Sequence, residues 1–315
     1  MPRHPFILIE GPDGTGKTTL AEAFVAEGYG YQKFGPPEYE PVDYYLDAMR
    51  KKAKEGAPVV LDRAHPSSFV YGIIFRGMDD LSPFDHWTID GYLMAHNSII
   101  LYARPEDPSA SEKVLDIRPP RDADAEVFEV PEARDAVREL YDVYMKQVAS
   151  LPMLWYDFSA EGMLDKIIED ARGMIDYFAS IDDPFEGVEC FGNRYSPGIC
   201  FVGSRPTRFL WKALAAAGAG KPVDERPTLN KICIVERLPH DFRPPETWAT
   251  THFVALSDEA HHDLNGFGLT HAKLPDPAVV ERTRYKDLLN FGKALVGDQP
   301  WEDFPTLSRK GFKIV

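Results

Sequence analysis

The segment Gly11-Pro-Asp-Gly-Thr-Gly-Lys17-Thr18 constrains this chain more than any other stretch. It meets the spacing G-x-x-x-x-G-K-[ST] at every required position, with an apolar run, Phe6–Glu10, before it and a helical pattern, Thr18–Glu27, after it. Glycines let the backbone curl until several N–H groups point inward, a concavity suited to an anion. The helix start that follows adds positive potential at the same place. The plain alternative is a Gly-rich turn with a chance lysine. The strand before and the helix after argue against it and commit the chain's beginning to a strand–loop–helix unit.

The residue types in the loop suit the phosphates of a nucleotide. Gly11, Asp13, Gly14, Thr15, Gly16, Lys17, Thr18 and Thr19 are the candidate cradle. Lys17 has the reach for β- and γ-phosphates, and the Thr18 hydroxyl suits Mg²⁺. ATP and Mg²⁺ are the cofactors this pattern predicts. Asp62 closes a second apolar run, Val59-Val60-Leu61. In a parallel sheet that strand end faces the nucleotide, where a carboxylate holds Mg²⁺ through water. A capping Asp with a surface partner is the alternative. Arg63, next to it, suits a phosphate, because a guanidinium fork binds two oxygens.

The rest of the chain repeats the alternation. Tyr29–Phe34, Ser98–Ala103 and Met153–Asp157 read as strands, and 42–55, 89–96, 133–151 and 162–179 as helices. This predicts an α/β fold, a parallel sheet with helices on both faces. Residues 105–135, rich in Pro, Asp and Arg, read as a mobile excursion. After Ile181-Asp-Asp-Pro184 the pattern restarts, with strands at 198–202, 231–235, 252–256 and 269–274 and a closing helix around 285–295. The predicted domains are therefore 1–182 and a smaller α/β domain, 183–315.

Charge is uneven. Residues 1–182 hold 18 Lys and Arg against 33 Asp and Glu, while residues 183–315 hold 17 of each, so the whole net charge of −15 sits in the first part. Such a surface repels polyanions at long range and disfavours non-specific DNA binding. No apolar run approaches the ~20 residues that cross a bilayer, so no membrane partner is expected. Three scattered cysteines make neither a disulfide scaffold nor a zinc site. A reduced, cytoplasmic protein is the expectation.

Glu10-Gly-Pro-Asp-Gly-Thr-Gly-Lys-Thr-Thr19 together with Asp62-Arg63 resembles the thymidylate kinase family of nucleoside monophosphate kinases. Asp62-Arg-Ala-His-Pro-Ser-Ser-Phe-Val-Tyr71-Gly, then Phe75-Arg76-Gly77, resembles a divergent branch found in phages. The resemblance spans about residues 5–178. It implies that Asp13 contacts the acceptor sugar's 3′-hydroxyl and that Arg63 grips the acceptor phosphate. It implies that the excursion is a lid over ATP, with Arg118 and Arg121, or Arg104, bringing charge to the transferring phosphoryl group. It also implies a homodimer. Two departures stand out. Gly14 replaces an arginine carried by one subtype, and the stretch from Phe34 to Asp62 has room for one helix only. The family's usual thymine-binding helix is therefore missing, and Tyr44, Tyr45, Phe69, Tyr71 and Arg76 are the available substitutes. His65 reads either as a substrate contact or as a helix cap.

Residues 198–295 faintly resemble the uracil-DNA glycosylase-like fold, through the turn Val202–Pro206 and through Leu274-Pro-Asp-Pro277. The first turn has no carboxylate to activate water, and Asp276 stands where a histidine belongs, so an active glycosylase is not expected. A retained binding module, for a nucleotide, for DNA or for the chain's own first domain, is the expectation, with Arg205, Arg208 and Lys212 making the turn anion-friendly. Three readings follow. The leading one is an ATP- and Mg²⁺-dependent kinase of a deoxyribonucleoside monophosphate. The second is a kinase of a modified-base hydroxyl, such as 5-hydroxymethyluracil, in phage DNA. The third is a non-catalytic nucleotide- or DNA-binding module.

Overall fold

The computed structural model describes residues 4–37, 40–117, 131–147, 149, 151–180, 185, 188–194, 197–203, 232–249, 251–269, 271–273 and 313–314. The elements begin with β1 (Phe6–Glu10), α1 (Lys17–Ala26), β2 (Gly30–Lys33), α2 (Pro41–Ala53) and β3 (Val59–Asp62). Next come α3 (His65–Tyr71), which runs into a π-helical turn at Gly72–Arg76, then α4 (Pro83–Ala95), β4 (Ile99–Ala103) and α5 (Pro108–Ile117). After these follow α6 (Pro131–Gln147), β5 (Met153–Tyr156) and α7 (Met163–Ala179). The last are β6 (Cys190–Gly192), β7 (Ile199–Val202), β8 (Ile232–Val235), β9 (His252–Ala255), α8 (Asp258–Gly266), β10 (His271–Lys273) and β11 (Lys313–Ile314). No described helix is long and apolar enough to cross a membrane.

The described chain forms two compact units, one drawn from residues 3–82 and 96–180, the other from 83–95 and the chain after 181. In the first, five parallel strands lie in the order β2-β3-β1-β4-β5. Every residue of β1, β3 and β4 is buried. A strand buried on both faces reads as a continuous apolar run, which is why the sequence pattern was clear there. Register sorts the side chains. Ile7, Ile9, Val60, Leu101 and Tyr156 share one face and pack on Leu20 and Phe24 of α1 and on Ile167 and Ala171 of α7. Glu10 and Tyr102 point to the other face, where they bond to side chains of α3 and α6.

Local signals account for the helices. In α2, Pro41 opens the first turn, Asp43 sits near the positive end and Arg50, Lys51 and Lys52 near the negative end. Its buried Val42, Tyr45, Leu46 and Met49 recur at the spacing of one helix face. The excursion expected at 105–135 is helical at both ends. The Asp107 carboxylate accepts from the Ser109 N–H at 2.9 Å and from its hydroxyl at 2.7 Å, and Pro108 starts α5 behind it. An Asp-Pro start was thus misread as a loop. Residues 118–130, with Arg118 and Arg121, lie outside the described residues.

The second unit carries a mixed sheet in the order β11-β10-β9-β7-β8-β6. The four inner strands are parallel, and the edges β6 and β11 run antiparallel. Its core joins Phe185, Phe242, Trp248 and Phe253 to buried strand residues. Helix α4 belongs to this unit rather than to residues 1–182: Ala95 lies in that core, and the Tyr92 ring meets Phe191 edge-on at 6.1 Å. The helix itself was expected only from residue 89 on; α3, β6, α8 and β11 were not expected at all. The turn residues Arg205, Arg208 and Lys212, the segment Leu274–Pro277 and the closing helix lie outside the described residues.

Candidate active site

The loop residues sit between the end of β1 and the start of α1. Gly11 has φ +140°, and a Cβ there would collide with the carbonyl oxygen of Ala103 on β4. Gly16 is left-handed at φ +78° and forms the N-terminal boundary of α1, against the Phe158 side chain. Thr15 Oγ1 donates to the Pro12 carbonyl at 2.8 Å. The Lys17 ammonium donates to the same carbonyl and lies 3.5 Å from Thr15 Oγ1. Thr18 and Thr19 are exposed on the first turn of α1. Lys17 is buried, and burial, followed by the nearby Arg63 charge, pushes its pKa down to about 7 against the pull of Asp13, Glu10 and Asp62.

Arg63 and Asp13, 50 residues apart in sequence, form an ion pair. The Tyr71 hydroxyl donates to the other Asp13 oxygen at 2.8 Å, and the Arg63 guanidinium lies 4.7 Å from the centre of the Tyr71 ring. Burial opposes the Arg63 charge, but Tyr71, Asp13 and Tyr141 outweigh it and hold the guanidinium protonated. Arg63 has φ +63°, a left-handed conformation that costs a side-chain-bearing residue about 1–2 kcal/mol. Unit charges 4 Å apart attract by about 4 kcal/mol at an effective dielectric constant near 20, before the cost of desolvating them, so the attraction is of a size to offset that strain.

Behind Arg63 lies a fully buried carboxylate, Glu10. It accepts from the Ala64 N–H through Oε1 and from the Ser67 hydroxyl through Oε2 at 2.7 Å. Tyr141 OH is 2.7 Å from Ser67 Oγ and 3.4 Å from Arg63 Nη1. Burial pushes Glu10 up to about 7, opposed by Ser67, Arg63, the Ala64 N–H and Lys17. Glu10, Ser67 and Tyr141 were not singled out as site residues. A charged residue ending the otherwise apolar Phe6–Ile9 run was the available signal for Glu10. Nothing local marks Ser67 or Tyr141.

Asp62 shares the α1 face of the sheet, in register with Ile9. Its Oδ2 accepts from Tyr31 OH at 2.7 Å and lies 3.6 Å from Lys33 Nζ. No described cluster of three or more His, Cys, Asp or Glu residues suits a metal. Magnesium keeps several waters and takes phosphate oxygens with one or two protein ligands, so the exposed Thr18 hydroxyl and Asp62 fit that ion without a protein cage.

The structure separates the other candidates. Tyr45 is core, its ring 4.9 Å from Phe34 and 6.3 Å from His65. His65 is fully buried beside Tyr144, which places it in the core rather than at a cap. The Phe69 ring contacts Tyr144, and Arg76 pairs with Asp80. The Tyr44 ring meets Phe34 and Tyr45 edge-on, and its hydroxyl accepts from the Gly35 N–H at 3.4 Å. Arg104 bonds Asp142 at 2.9 Å and lies 5.6 Å from the Trp155 ring centre, tied down beside Tyr102. Among the described contacts, Tyr71 is brought to the Asp13–Arg63 pair.

No protein-family profile and no curated protein matches the chain. Among solved structures, the YorR protein from Bacillus subtilis in complex with phosphorylated GDP is 23% identical over 55% of this chain and 96% of its own, with a TM-score of 0.45. Deoxyadenosine kinase from M. mycoides with bound dATP is 21% identical over 54% of this chain and all of its own (100%), at 0.36. Thymidylate kinase from Candida albicans is 16% identical over 56% of this chain and 92% of its own, at 0.37.

Proposed function

We propose that the chain is an ATP- and Mg²⁺-dependent phosphotransferase whose acceptor is a deoxyribonucleoside monophosphate. The observation that carries this is the pairing of the strand–loop–helix cradle, Lys17 at its centre, with a second phosphate-seeking group, Arg63, on the neighbouring strand end. The loop amides and Lys17 bind the donor's phosphates and stabilise the charge that develops on them. Thr18, and Asp62 through water, would hold Mg²⁺, which would supply charge neutralisation to the phosphates. Arg63, carried on α3's lead-in, aligns the acceptor phosphate. Asp13 takes the acceptor's sugar hydroxyl, with Tyr71 fixing its second oxygen. An acceptor phosphate is already an anion, so the geometry needs no strong general base. Arg118 and Arg121 are proposed to bring charge to the transferring group.

A second reading, transfer to a hydroxyl on a modified DNA base such as 5-hydroxymethyluracil, is favoured by one observation. Tyr45 is spent in the core, so α2 offers that ring to no free base. In this reading Asp13 receives the hydroxyl proton, and the second unit holds DNA. The order β8-β7-β9-β10 supports such a module, because parallel sheets bind ligands outside the carboxyl ends of strands where the strand order reverses, here between β7 and β9. The experiment is label transfer from γ-labelled ATP with Mg²⁺, offered deoxyribonucleoside monophosphates beside DNA containing thymine or 5-hydroxymethyluracil. Label on a mononucleotide, abolished by Lys17→Ala, supports the first reading. Label only on modified DNA transfers the conclusion to the second, and ATP binding without acceptor-dependent turnover sinks both.

A further inference from the structure

Arg63 does not hold its position alone. Its Nη1 lies 3.4 Å from Tyr141 OH and 3.5 Å from Ser67 Oγ. Those two oxygens are 2.7 Å apart, and Ser67 Oγ is 2.7 Å from Glu10 Oε2. A hydroxyl donates one proton, and an ionised carboxylate can only accept. In its ionised form, which prevails above about pH 7, the buried carboxylate therefore sets the direction of the chain. Ser67 donates to Glu10, Tyr141 donates to Ser67, and the lone pairs of Tyr141 are left facing the guanidinium. The second carboxylate oxygen accepts from the Ala64 N–H, directly after Arg63. One side chain thus anchors both the backbone and the guanidinium of the left-handed residue.

We propose that Glu10 is a positioning residue for Arg63, acting through the one-way donor chain Arg63→Tyr141→Ser67→Glu10 and through the Ala64 N–H. The inference deepens the reading in which Arg63 holds the acceptor phosphate, and rests on it for its effect on catalysis. Glu10→Gln preserves volume but changes direction. With its oxygen kept on the Ala64 N–H, the amide nitrogen faces Ser67, Ser67 must then donate to Tyr141, and the Tyr141 proton points at Arg63. A donor set against a donor drives the guanidinium away.

The direct test reads Arg63 itself. In the full chain, the rate at which phenylglyoxal modifies Arg63 is followed by peptide mass spectrometry. Glu10→Gln is expected to raise it several-fold while thermal unfolding stays cooperative. Ser67→Ala, which cuts the chain with Glu10 in place, is expected to do the same and serves if Glu10→Gln does not fold. In turnover, Glu10→Gln is expected to raise the acceptor KM about tenfold, well beyond any change in the ATP KM. The effect is expected to vanish in an Arg63→Ala background. An unchanged modification rate in both variants overturns the proposal, as does an effect of equal size without Arg63. If modification rises but Arg63→Ala leaves acceptor KM alone, the positioning stands and the acceptor-phosphate reading falls.

Discussion

Lys17 and Glu10 show how burial tunes single residues at this site. Each is pushed to about 7 from opposite sides, chiefly because a charge out of water is costly. For Lys17 the folded value lies below the ordinary lysine value of 10.5, so the amine loses its proton as pH rises through about 7. A bound triphosphate places negative charge against it and restores the proton. ATP binding at pH 8 is therefore expected to take up close to one proton, and at pH 6 close to none. Calorimetry in buffers of different ionisation enthalpy checks this, and equal uptake at both values would count against it. The position of Lys17 at the start of α1 was legible in sequence because the loop spacing places it between a strand and a helix. Glu10 was not legible as a site residue, because its role depends on Ser67 and Tyr141, 57 and 131 residues further along.

At the scale of the element, the glycine loop is closed by a neighbour that is distant in sequence. Gly11 packs against the backbone of Ala103, at the far end of β4. Backbone cannot move aside as a side chain does, and φ +140° suits glycine alone. Gly11→Ala is expected to separate β1 from β4 at the site, lower Tm by roughly 2–4 °C or more, the scale of at least 1 kcal/mol in a domain of this size, and abolish ATP binding. Thermal melts with and without ATP check it. A variant that keeps both Tm and ATP stabilisation contradicts the packing. The strands were legible here because buried parallel strands are apolar throughout. Helix α5 was hidden because its start signal, Asp107-Pro108, sits in a segment whose composition reads as loop. Helix α3 was hidden because it is only seven residues long and its buried residues, His65, Pro66, Ser67, Ser68 and Val70, are largely polar.

For the whole molecule, the instructive case is α4. Sequence order places it inside the first unit, yet its buried residues belong with the core of the second. A chain ending at residue 182 would leave Tyr92 without Phe191 and Ala95 without its core neighbours Val188 and Cys190. It is expected to bind a hydrophobic dye before heating and to unfold less cooperatively than the full chain, which dye-based thermal scanning reads. A truncated chain that melts sharply with no initial dye signal contradicts this. Taken alone, the sequence determined the anion cradle, the alternation of strands and helices, and the uneven charge, because each is written in residues that are close neighbours. Only tertiary structure decided that Arg63 meets Asp13, that Glu10 lies beneath them, and that α4 belongs with the second unit. Those contacts join residues far apart in the chain, and burial, charge pairing and hydrogen-bond direction select them only once the sheets have formed.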